Sequence, residues 1–434
     1  MSSLNDKGVV KIGGWDGVTN TIEETSLPIS SLTQAVNVDM DNFGKMQLRQ
    51  GSSLAVSLVG ARNLWAGTLF PYMLVAQGAN LIALDVNMSQ TALSTTLDGN
   101  GPVSYCEING TVYWTDGTSV GLITPDLVRH PIYTENPPVQ PLLALSTLGG
   151  LDAGNYQVAS TWVDALGRES GTSIAAQITV PAGGGIALTF LNAPADIVST
   201  RVYVTKANGD KLYLYTTVPA AMAGLTIQNG HLESQLATQF AEPMPAGHLI
   251  RYFNGRLYIA DKDRVWFSLP LRYGQFRRDV SYMKFKGHIR MLEPVGEAQN
   301  SSGFYVSDDA RVYYRSGAAP KDFQQAIAYP YPAVDGTAVR VPGSYLGLEI
   351  TTNVVYWLST NGVFCIGTPG GVVIPFSEKY VVASQAQSGA SIVRDVGGGI
   401  RQIVTNLSGI GGPQNAAAGV TAVGRVERNG VVVQ

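Results

Sequence analysis

Short stretches in which apolar and polar residues alternate recur along the chain, and turn-forming dipeptides separate them. These stretches are rich in Val, Tyr, Trp and Ile, which suit a pleated, half-buried surface. No long stretch has a sustained 3.6-residue period, so the sequence predicts an all-β protein. We predict strands at Asn80–Val86, Thr111–Thr115, Arg256–Ala260, Arg264–Ser268, Arg311–Arg315, Asn353–Ser359 and Gly362–Gly367.

Asn-Gly and Asp-Gly dipeptides mark the predicted tight turns between these strands. Both pairs tolerate the positive φ angles that short hairpin turns require. Six of these dipeptides stand at positions 109–110, 116–117, 254–255, 335–336, 361–362 and 429–430.

A loose phrase repeats along the chain: a turn, an alternating strand with an aromatic residue, a second turn and a second strand. Examples are NGTVYWTDG, NGRLYIADKDRVWFS, DDARVYYRSG and TNVVYWLSTNGVFCIG. With one inserted block set aside, the copies lie roughly 40 to 55 residues apart, near the length of a four-stranded propeller blade. An isolated hairpin is marginal in water, whereas propeller blades bury their faces against one another. We therefore predict a β-propeller, with a pair of β-sandwiches as the alternative.

The block from about Pro138 to Phe240 has a different pattern and lies between two Pro-rich stretches, NPPVQP and EPMPAG. Strands are predicted at about 155–163, 175–180, 186–191, 200–206 and 211–218, a spacing that fits a fibronectin type III-like β-sandwich. Trp162 is expected as an early core tryptophan, and Tyr203 as a central-strand aromatic. The economical interpretation is a sandwich inserted into a propeller.

Four parts are therefore predicted: an N-terminal arm and hairpin (1–52), first blades (53–137), the inserted sandwich (138–242), and the remaining blades with the C-terminal strands (243–434). Within the first part, Ala35–Gly51 is predicted as strand, turn and strand. This hairpin either completes a blade and closes the ring, or docks on a neighbouring subunit.

Composition indicates a surface that faces other protein. Charged residues make up 14% of the chain, against about 25% in ordinary soluble domains. A solvated monomer normally covers itself with charged side chains, so much of this surface is expected to be covered by partners. The net charge of −3, from 29 basic and 32 acidic residues, does not point to nucleic acid or an anionic membrane.

Other features of the sequence bear on which kinds of chemical site to expect. Cys106 and Cys365 lie in apolar, strand-like runs and are expected to be buried free thiols, with a disulfide or a reactive thiol as the alternative. The N-terminus lacks the pattern of a signal peptide, and no apolar run reaches the length of a membrane span. The histidines have no metal-ligand spacing, and no nucleotide-binding or nucleophile-elbow motif is present. No cofactor, no metal and no catalytic residue is predicted.

The segment Leu271–Arg290 is the one strongly basic run, and aromatic residues are interleaved with its Arg and Lys residues. Arg and aromatic residues are enriched in interface cores, so the run is a candidate contact with phosphate or with an acidic partner. The alternative is a solvated connection between blades. The candidate interface residues are Arg272, Tyr273, Phe276, Arg277 and Arg278.

Two stretches resemble the tail nozzle, or tail-tubular hub, proteins of short-tailed bacteriophages. SLPISSLTQAVNVDMDNFGKMQLRQGS resembles their opening hairpin, and FNGRLYIADKDRVWFSLPLRYGQF resembles their repeated blade phrase. The resemblance implies a propeller-bearing protein that assembles as a sixfold ring below the adaptor and portal. Such a ring extends the DNA channel and closes its distal end until the genome is ejected.

The same resemblance implies the partners and the location of the protein. The expected partners are five further copies of this chain in a homohexamer, the tail adaptor and portal-proximal proteins, and tail fibres or spikes. Genomic DNA is expected to pass through the lumen without sequence-specific binding. The protein is expected in the virion, assembled in the host cytoplasm.

Two other classes of function remain open at this stage. One is a fibre-associated or cell-surface propeller that recognises carbohydrate or protein. The other is a propeller glycosidase, which would need paired carboxylates from different blades; the acidic residues of the predicted blades lie mostly in turns, so we expect no enzyme activity.

Overall fold

The computed structural model describes residues 14–36, 38–40, 45–48, 54–93, 97–98, 101–133, 138–190, 193–296, 303–317, 319–395, 401–409, 421–427 and 430–433. These residues form strands and three 3₁₀ segments, and they contain no α-helix. The chain divides into two compact units, described separately below. One comprises residues 58–259 and 265–283; the other comprises 1–57, 260–264 and 284–434.

Four short strands and a 3₁₀ segment precede the larger sheets. Strands β1 and β2 pair in parallel, and β3 and β4 form an antiparallel hairpin. Their bounds are β1 Gly17–Val18, η1 Glu24–Ser26, β2 Ser31–Leu32, β3 Val38–Met40 and β4 Met46–Leu48. The hairpin matches the predicted strand, turn and strand, although the predicted turn residues 42–44 lie outside the described residues.

Two four-stranded antiparallel sheets follow, each a simple meander of consecutive strands. The first consists of β5 Ala61–Ala66, β6 Met73–Gln77, β7 Asn80–Leu84 and β8 Gln90–Leu93. The second consists of β9 Ser104–Ile108, β10 Thr111–Thr115, β11 Val120–Ile123 and β12 Arg129–Pro131. One hydrophobic cluster, centred on Leu74, Leu81 and Trp114, joins the two sheets face to face.

The inserted block is a β-sandwich of a three-stranded and a four-stranded sheet. The strands are β13 Leu142–Leu151, β14 Gly154–Asp164, β15 Ala176–Val180, β16 Gly184–Thr189, β17 Ile197–Val204, β18 Tyr213–Pro219 and β19 Gly224–Ile227. The sheet orders are β13-β16-β19 and β15-β14-β17-β18. The predicted sandwich is therefore present, and its core packs Tyr156, Val158, Ile186 and Val202 between the sheets.

The prediction for Trp162 is wrong. Trp162 is only partly exposed to solvent but does not belong to the sandwich core. It lies near the C-terminal end of β14, just before the register shift at Val163 and Asp164, and Tyr156 supplies the buried aromatic of this strand instead. Tyr203 is buried in its strand, as predicted.

After the sandwich the chain returns beside the sheet that it left. The next strands are β20 Glu242–Pro243, β21 Leu249–Phe253, β22 Arg256–Asp261, β23 Arg264–Phe267, β24 Gln275–Phe276 and β25 Tyr282–Lys284. Strands β21, β22, β23 and β25 form a four-stranded sheet, and β20 pairs with β24. The Thr115 hydroxyl donates to the Gly247 carbonyl at 2.6 Å, and the Ile250 amide donates to Ser104 Oγ at 3.1 Å. The sheets on either side of the insertion are thus direct neighbours.

The remaining strands form three more four-stranded meanders. They are β26 Met291–Val295, β27 Gly303–Ser307, β28 Val312–Ser316 and β29 Gln324–Tyr329; β30 Val339–Pro342, β31 Asn353–Leu358, β32 Phe364–Gly367 and β33 Val373–Ile374; and β34 Ser388–Asp395, β35 Arg401–Ser408, β36 Thr421–Glu427 and β37 Gly430–Val433. The 3₁₀ segments η2 Pro320–Asp322 and η3 Gly343–Leu346 lie between them. Shared hydrophobic clusters again join consecutive sheets face to face.

Successive residues of the central strands serve two different clusters, which is the packing of propeller blades. In β10, Tyr113 faces the sheet after the insertion and Trp114 faces the sheet before it. In β31, Tyr356 and Trp357 face opposite neighbours in the same way. A strand buried on both faces is apolar on both, and radial stacking of such meanders defines the propeller fold. The predicted fold class, a β-propeller with an inserted β-sandwich, is confirmed.

Two predicted Asn-Gly turns have the positive φ angles that the sequence predicts. Asn109 and Gly110 have φ angles of 51° and 78°, and Asn254 and Gly255 have 44° and 72°. Positive φ at both central positions is the signature of a type I′ hairpin. These turns hold adjacent strands in register, so the aromatic pairs of each strand reach their separate clusters.

The N-terminal segment is fixed to the last part of its own chain. The Asn20 amide donates to the Val382 carbonyl, and the Val382 N–H donates to Asn20 Oδ1, both at 2.9 Å. The nearly buried Asp39 of β3 pairs with Arg394 of β34 at 3.7 Å, and β1 lies beside β37. These contacts fix the segment within its own compact unit, where β3 and β4 form a two-stranded sheet of their own. A role in closing the ring or in docking on a neighbouring subunit stays a prediction.

Cys106 and Cys365 are free and buried, as expected. Burial raises the pKa of the Cys365 thiol to about 12. This thiol is therefore protonated at physiological pH, and it fills space in the core that includes Trp357.

Replacement of Trp266 tests the blade packing. Its ring is 6% exposed and lies 5.4 Å from the rings of both Phe276 and Tyr282. Trp266→Ala should lower the free energy of unfolding by about 3–5 kcal/mol because it leaves a large cavity. Chemical denaturation monitored by circular dichroism measures the change. Val280→Ala, at a side chain 57% exposed, is the matched control and should cost less than about 0.5 kcal/mol; equal effects would contradict the blade packing described here.

Candidate functional site

A cleft of about 410 Å³ lies where the sandwich meets the propeller sheets within the first compact unit. One wall comes from the β14–β15 connection and from β17 of the sandwich. The other walls come from β10, from the end of β12 and from the loop before β24. The lining residues are Tyr113, Ile132, Tyr133, Gly167, Arg168, Glu169, Arg201, Pro270, Leu271, Arg272, Tyr273 and Gly274.

Glu169 is the carboxylate at the centre of this cleft, and its side chain is 5% exposed. Its Oε1 accepts hydrogen bonds from Thr161 Oγ1 at 2.8 Å and from the Tyr203 hydroxyl at 2.5 Å. Its Oε2 lies 2.8 Å from Arg201 Nη1 and 3.9 Å from Arg272 Nη1. Burial and this carboxylate raise the pKa of the Tyr203 hydroxyl, so the phenol stays a donor.

Arg168 ties the sandwich to the neighbouring propeller sheet. Its Nε donates to Asp164 Oδ2 at 2.7 Å, which orients the guanidinium. Its Nη1 donates to the carbonyl oxygens of Pro131 and Ile132, at 2.9 and 3.0 Å. The group also lies over the Tyr133 ring, 5.8 Å from its centroid. Asp164 in turn accepts from the Leu166 and Arg168 amides, so the whole connection is held rigidly.

Backbone groups approach closely at the base of the cleft. The Gln275 side-chain amide donates to the Glu169 carbonyl at 2.8 Å. A Cβ atom at position 274 would clash with the Ile132 carbonyl oxygen, so only Gly allows the loop to lie this near β12. The Met244 amide donates to the Gly274 carbonyl at 2.8 Å. These hydrogen bonds therefore connect the Gly274–Gln275 segment to the sandwich through Glu169 and to the residue after β20 through Met244.

Tyrosine rings form the aromatic side of the cleft. The Tyr273 ring packs edge to face against Tyr113, with centroids 6.1 Å apart, and against Tyr252, with centroids 5.8 Å apart. Burial raises the pKa of Tyr113 to about 12, and burial followed by the charge of Tyr252 raises that of Tyr273. The phenols of Tyr113 and Tyr273 are therefore neutral at physiological pH, and they offer ring surface and hydroxyl groups rather than charge.

The cleft brings together two of the five predicted interface residues, Arg272 and Tyr273. Phe276 is fully buried against Trp266, in the core of the sheets, which places it away from any exposed contact surface. Arg277 pairs with Asp279 at 3.4 Å. Arg278 pairs with Glu242 at 2.8 Å and lies over the Phe276 ring at 5.6 Å.

Sequence reasoning missed Arg168, Glu169 and Arg201. The signal that was available is the charged connection Asp-Ala-Leu-Gly-Arg-Glu, positions 164–169, in a chain otherwise poor in charge. The position of Arg201 could not be found in this way, because only the pairing of β14 with β17 brings it near Glu169.

The charges of the cleft leave one net positive charge. Three guanidinium groups, those of Arg168, Arg201 and Arg272, face the carboxylates of Asp164 and Glu169. The side chains of Arg201 and Arg272 line the cleft and are each 35% exposed, so solvent reaches both side chains. The arrangement can bind an anion. No group of three or more metal-ligating side chains occurs among the described residues. In the same part of the chain, no helix has the length and hydropathy needed to span a bilayer.

No protein-family model and no curated protein matches the chain in sequence. Among solved structures, BBS1N in complex with ARL6DN matches over 84% of this chain and 92% of its own, at 10% identity and a TM-score of 0.33. The N-terminal domain of Nup159 matches over 84% and 75%, at 10% identity and a TM-score of 0.24. The AfRom2 CNH domain matches over 74% and 94%, at 8% identity and a TM-score of 0.25. Likenesses this weak carry no information on what the chain binds.

Removal of the Glu169 carboxylate tests its role in the buried polar network on the sandwich side of the cleft. Glu169→Ala should lower the free energy of unfolding by about 3 kcal/mol, since Arg201 and the buried hydroxyls of Thr161 and Tyr203 lose their acceptor. Differential scanning calorimetry measures the loss. The control is Glu242→Ala, which breaks the exposed pair with Arg278 and should cost less than about 1 kcal/mol; a loss as small for Glu169→Ala would show that the carboxylate does not stabilise this network.

Proposed function

We propose that the chain is a structural subunit of a bacteriophage tail nozzle, a homohexameric ring that extends the DNA channel and closes it until ejection. The two stretches that resemble this group support the proposal, and both have the expected local structure. The first contains the hairpin β3–β4, and the second contains β22, β23 and the Asn254-Gly255 turn.

The observation that carries the assembly part of the proposal is the exposed edge strand β13. It is ten residues long and forms an edge of its sheet. Its sequence LLALSTLGGL has no charged residue, and Leu142, Leu145 and Leu148 are 63%, 59% and 68% exposed. Soluble proteins protect such edges with charge, proline, β-bulges or a covering element; β13 has a register irregularity between Ser146 and Leu151 but neither charge nor proline. An uncharged edge with exposed leucine side chains, on a charge-poor chain, is typical of a subunit interface.

A second exposed edge supports a ring over a twofold dimer. Strand β5 forms an edge of its own sheet, and its Leu64 is 65% exposed. A ring uses two different surfaces that meet head to tail, whereas a twofold dimer uses one surface twice. Two dissimilar exposed edges on one chain, the apolar β13 and the mixed β5, are therefore compatible with a ring.

Introducing charge on β13 tests this edge. Leu145→Lys combined with Leu148→Lys should abolish assembly and leave the melting temperature of the monomer nearly unchanged, because both side chains are exposed. Native mass spectrometry and electron microscopy of purified protein, alone and mixed with its adaptor, measure assembly. Val86→Lys, at an exposed turn residue, is the control and should assemble normally. Rings of six from the double variant, or monomers from the wild-type mixture, would contradict the proposal.

Charge reversal at Arg277 and Arg278 tests the basic run. Arg277→Glu with Arg278→Glu should impair incorporation into particles more than it impairs monomer folding, since both side chains are at least 40% exposed. Because Arg278 pairs with Glu242, the control combines Arg278→Glu with Glu242→Lys, which restores the pair within the chain. Normal incorporation of the double reversal would rule out an interface there.

A binding propeller is the second candidate function, and the cleft around Arg272 favours it. A persistent monomer that binds a ligand in this cleft would support the second candidate over the first.

A further inference from the structure

We propose that the cleft between sandwich and propeller binds a small carboxylate-bearing saccharide of the uronic acid class, and that Arg272 and Arg201 hold its carboxylate. This site lies within one chain. The proposal therefore does not depend on ring assembly, and it can hold whether or not the nozzle proposal does.

Arg201 and Arg272 supply N–H donors for a carboxylate. Glu169 accepts hydrogen bonds from Thr161 and Tyr203 on one oxygen and from Arg201 on the other, and Arg272 forms only a longer ion pair with it. Only one terminal nitrogen of each arginine points at Glu169, and the Arg272 contact is long at 3.9 Å. Guanidinium is a planar fork of five N–H donors, so each arginine keeps donors for a second carboxylate.

The charge of the cleft fits one carboxylate. With one net positive charge, the site becomes neutral when a monoanion binds. A phosphate monoester carries about −1.5 to −2 at neutral pH and would leave the site negative beside the buried Glu169. Planar guanidinium groups also match the two oxygens of a carboxylate in a bidentate pair.

The walls fit a ring-shaped ligand with polar edges. Tyr273 and Tyr113 offer aromatic surface beside the arginines, and Ile132 and Leu271 add apolar surface. Mixed aromatic walls with a few placed polar groups are typical of small-molecule sites. A saccharide presents apolar C–H faces and hydroxyl edges, which complement phenol rings, phenol hydroxyls and backbone carbonyls.

The size of the cleft favours a small ligand over a protein loop. At about 410 Å³ it falls in the range of small-molecule pockets, about 300–1,000 Å³. A specific protein partner covers about 800 Å² on each side, far beyond this concavity. The site is also held in place before binding, because Arg168, Asp164 and Gln275 fix the connection that carries Glu169. Preorganisation of this kind reduces the cost of ordering on binding.

The test is a titration of the full chain by isothermal calorimetry and by ligand-observed NMR, with D-glucuronic acid as probe. D-glucose is the neutral control, and inorganic phosphate and a tetraglutamate peptide test the other anion classes. We expect glucuronic acid to bind in the millimolar range or tighter, and at least tenfold more tightly than the other three. Tighter binding of phosphate or of the peptide would overturn the saccharide assignment, and no saturable binding of glucuronic acid would overturn the site.

Substitutions assign the contact to Arg272. Arg272→Gln should weaken binding of glucuronic acid at least tenfold with little change in melting temperature, because its contact with Glu169 is long. Arg272→Lys should recover part of the affinity, since it restores the charge without the fork. Arg278→Gln removes an exposed arginine that does not line the cleft and should bind like wild type. Wild-type affinity in Arg272→Gln, or an equal loss in Arg278→Gln, would overturn the assignment. Ring formation is measured separately by native mass spectrometry, so failure of the binding site and failure of the ring can be told apart.

Discussion

Burial of the central strands on both faces is the constraint on which the propeller architecture depends. An isolated two-stranded hairpin is marginal in water, and here central strands such as β10 and β31 are apolar on both faces. Tyr113 and Trp114, adjacent in β10, lie in different hydrophobic clusters. A single sheet of this kind would leave both apolar faces exposed to water, so consecutive sheets must pack against one another. Turns with positive φ at Asn109 and Asn254 keep the alternation in register.

The same constraint explains which parts of the fold could be predicted. Strands such as β10, β22 and β31 carry their aromatic pairs and Asn-Gly turns in local sequence, so pattern alone found them. The sandwich was found from its flanking prolines and strand spacing, which are also local. Trp162 was misassigned because its burial depends on where β14 ends relative to the facing sheet. That depends on the register shift at Val163, which leaves no trace in local composition.

The candidate site could be predicted only in part, for a physical reason of the same kind. Arg272 and Tyr273 stood out because they lie in a basic, aromatic run. The carboxylate that pairs with Arg272, that of Glu169, lies in the sandwich, about a hundred positions earlier, and is brought near by the insertion. Phe276 belongs to the same run but points into the core, since β24 pairs with β20 beneath Trp266. The fold therefore places some residues of this contiguous run in the core and others at the surface.

The placement of charge in a charge-poor chain bears on what the joint is for. A joint needed only for rigidity could be made of apolar residues, because replacing buried ion pairs by well-packed hydrophobic groups is often neutral or stabilising. This chain instead gathers three arginines and two carboxylates at one place and leaves one guanidinium in excess. Glu169 and Asp164 orient these cations as well as neutralising them. Cations that are held in place and only partly neutralised have the electrostatic character of a binding site, and this is why we place the proposed ligand site at the joint rather than at a blade centre.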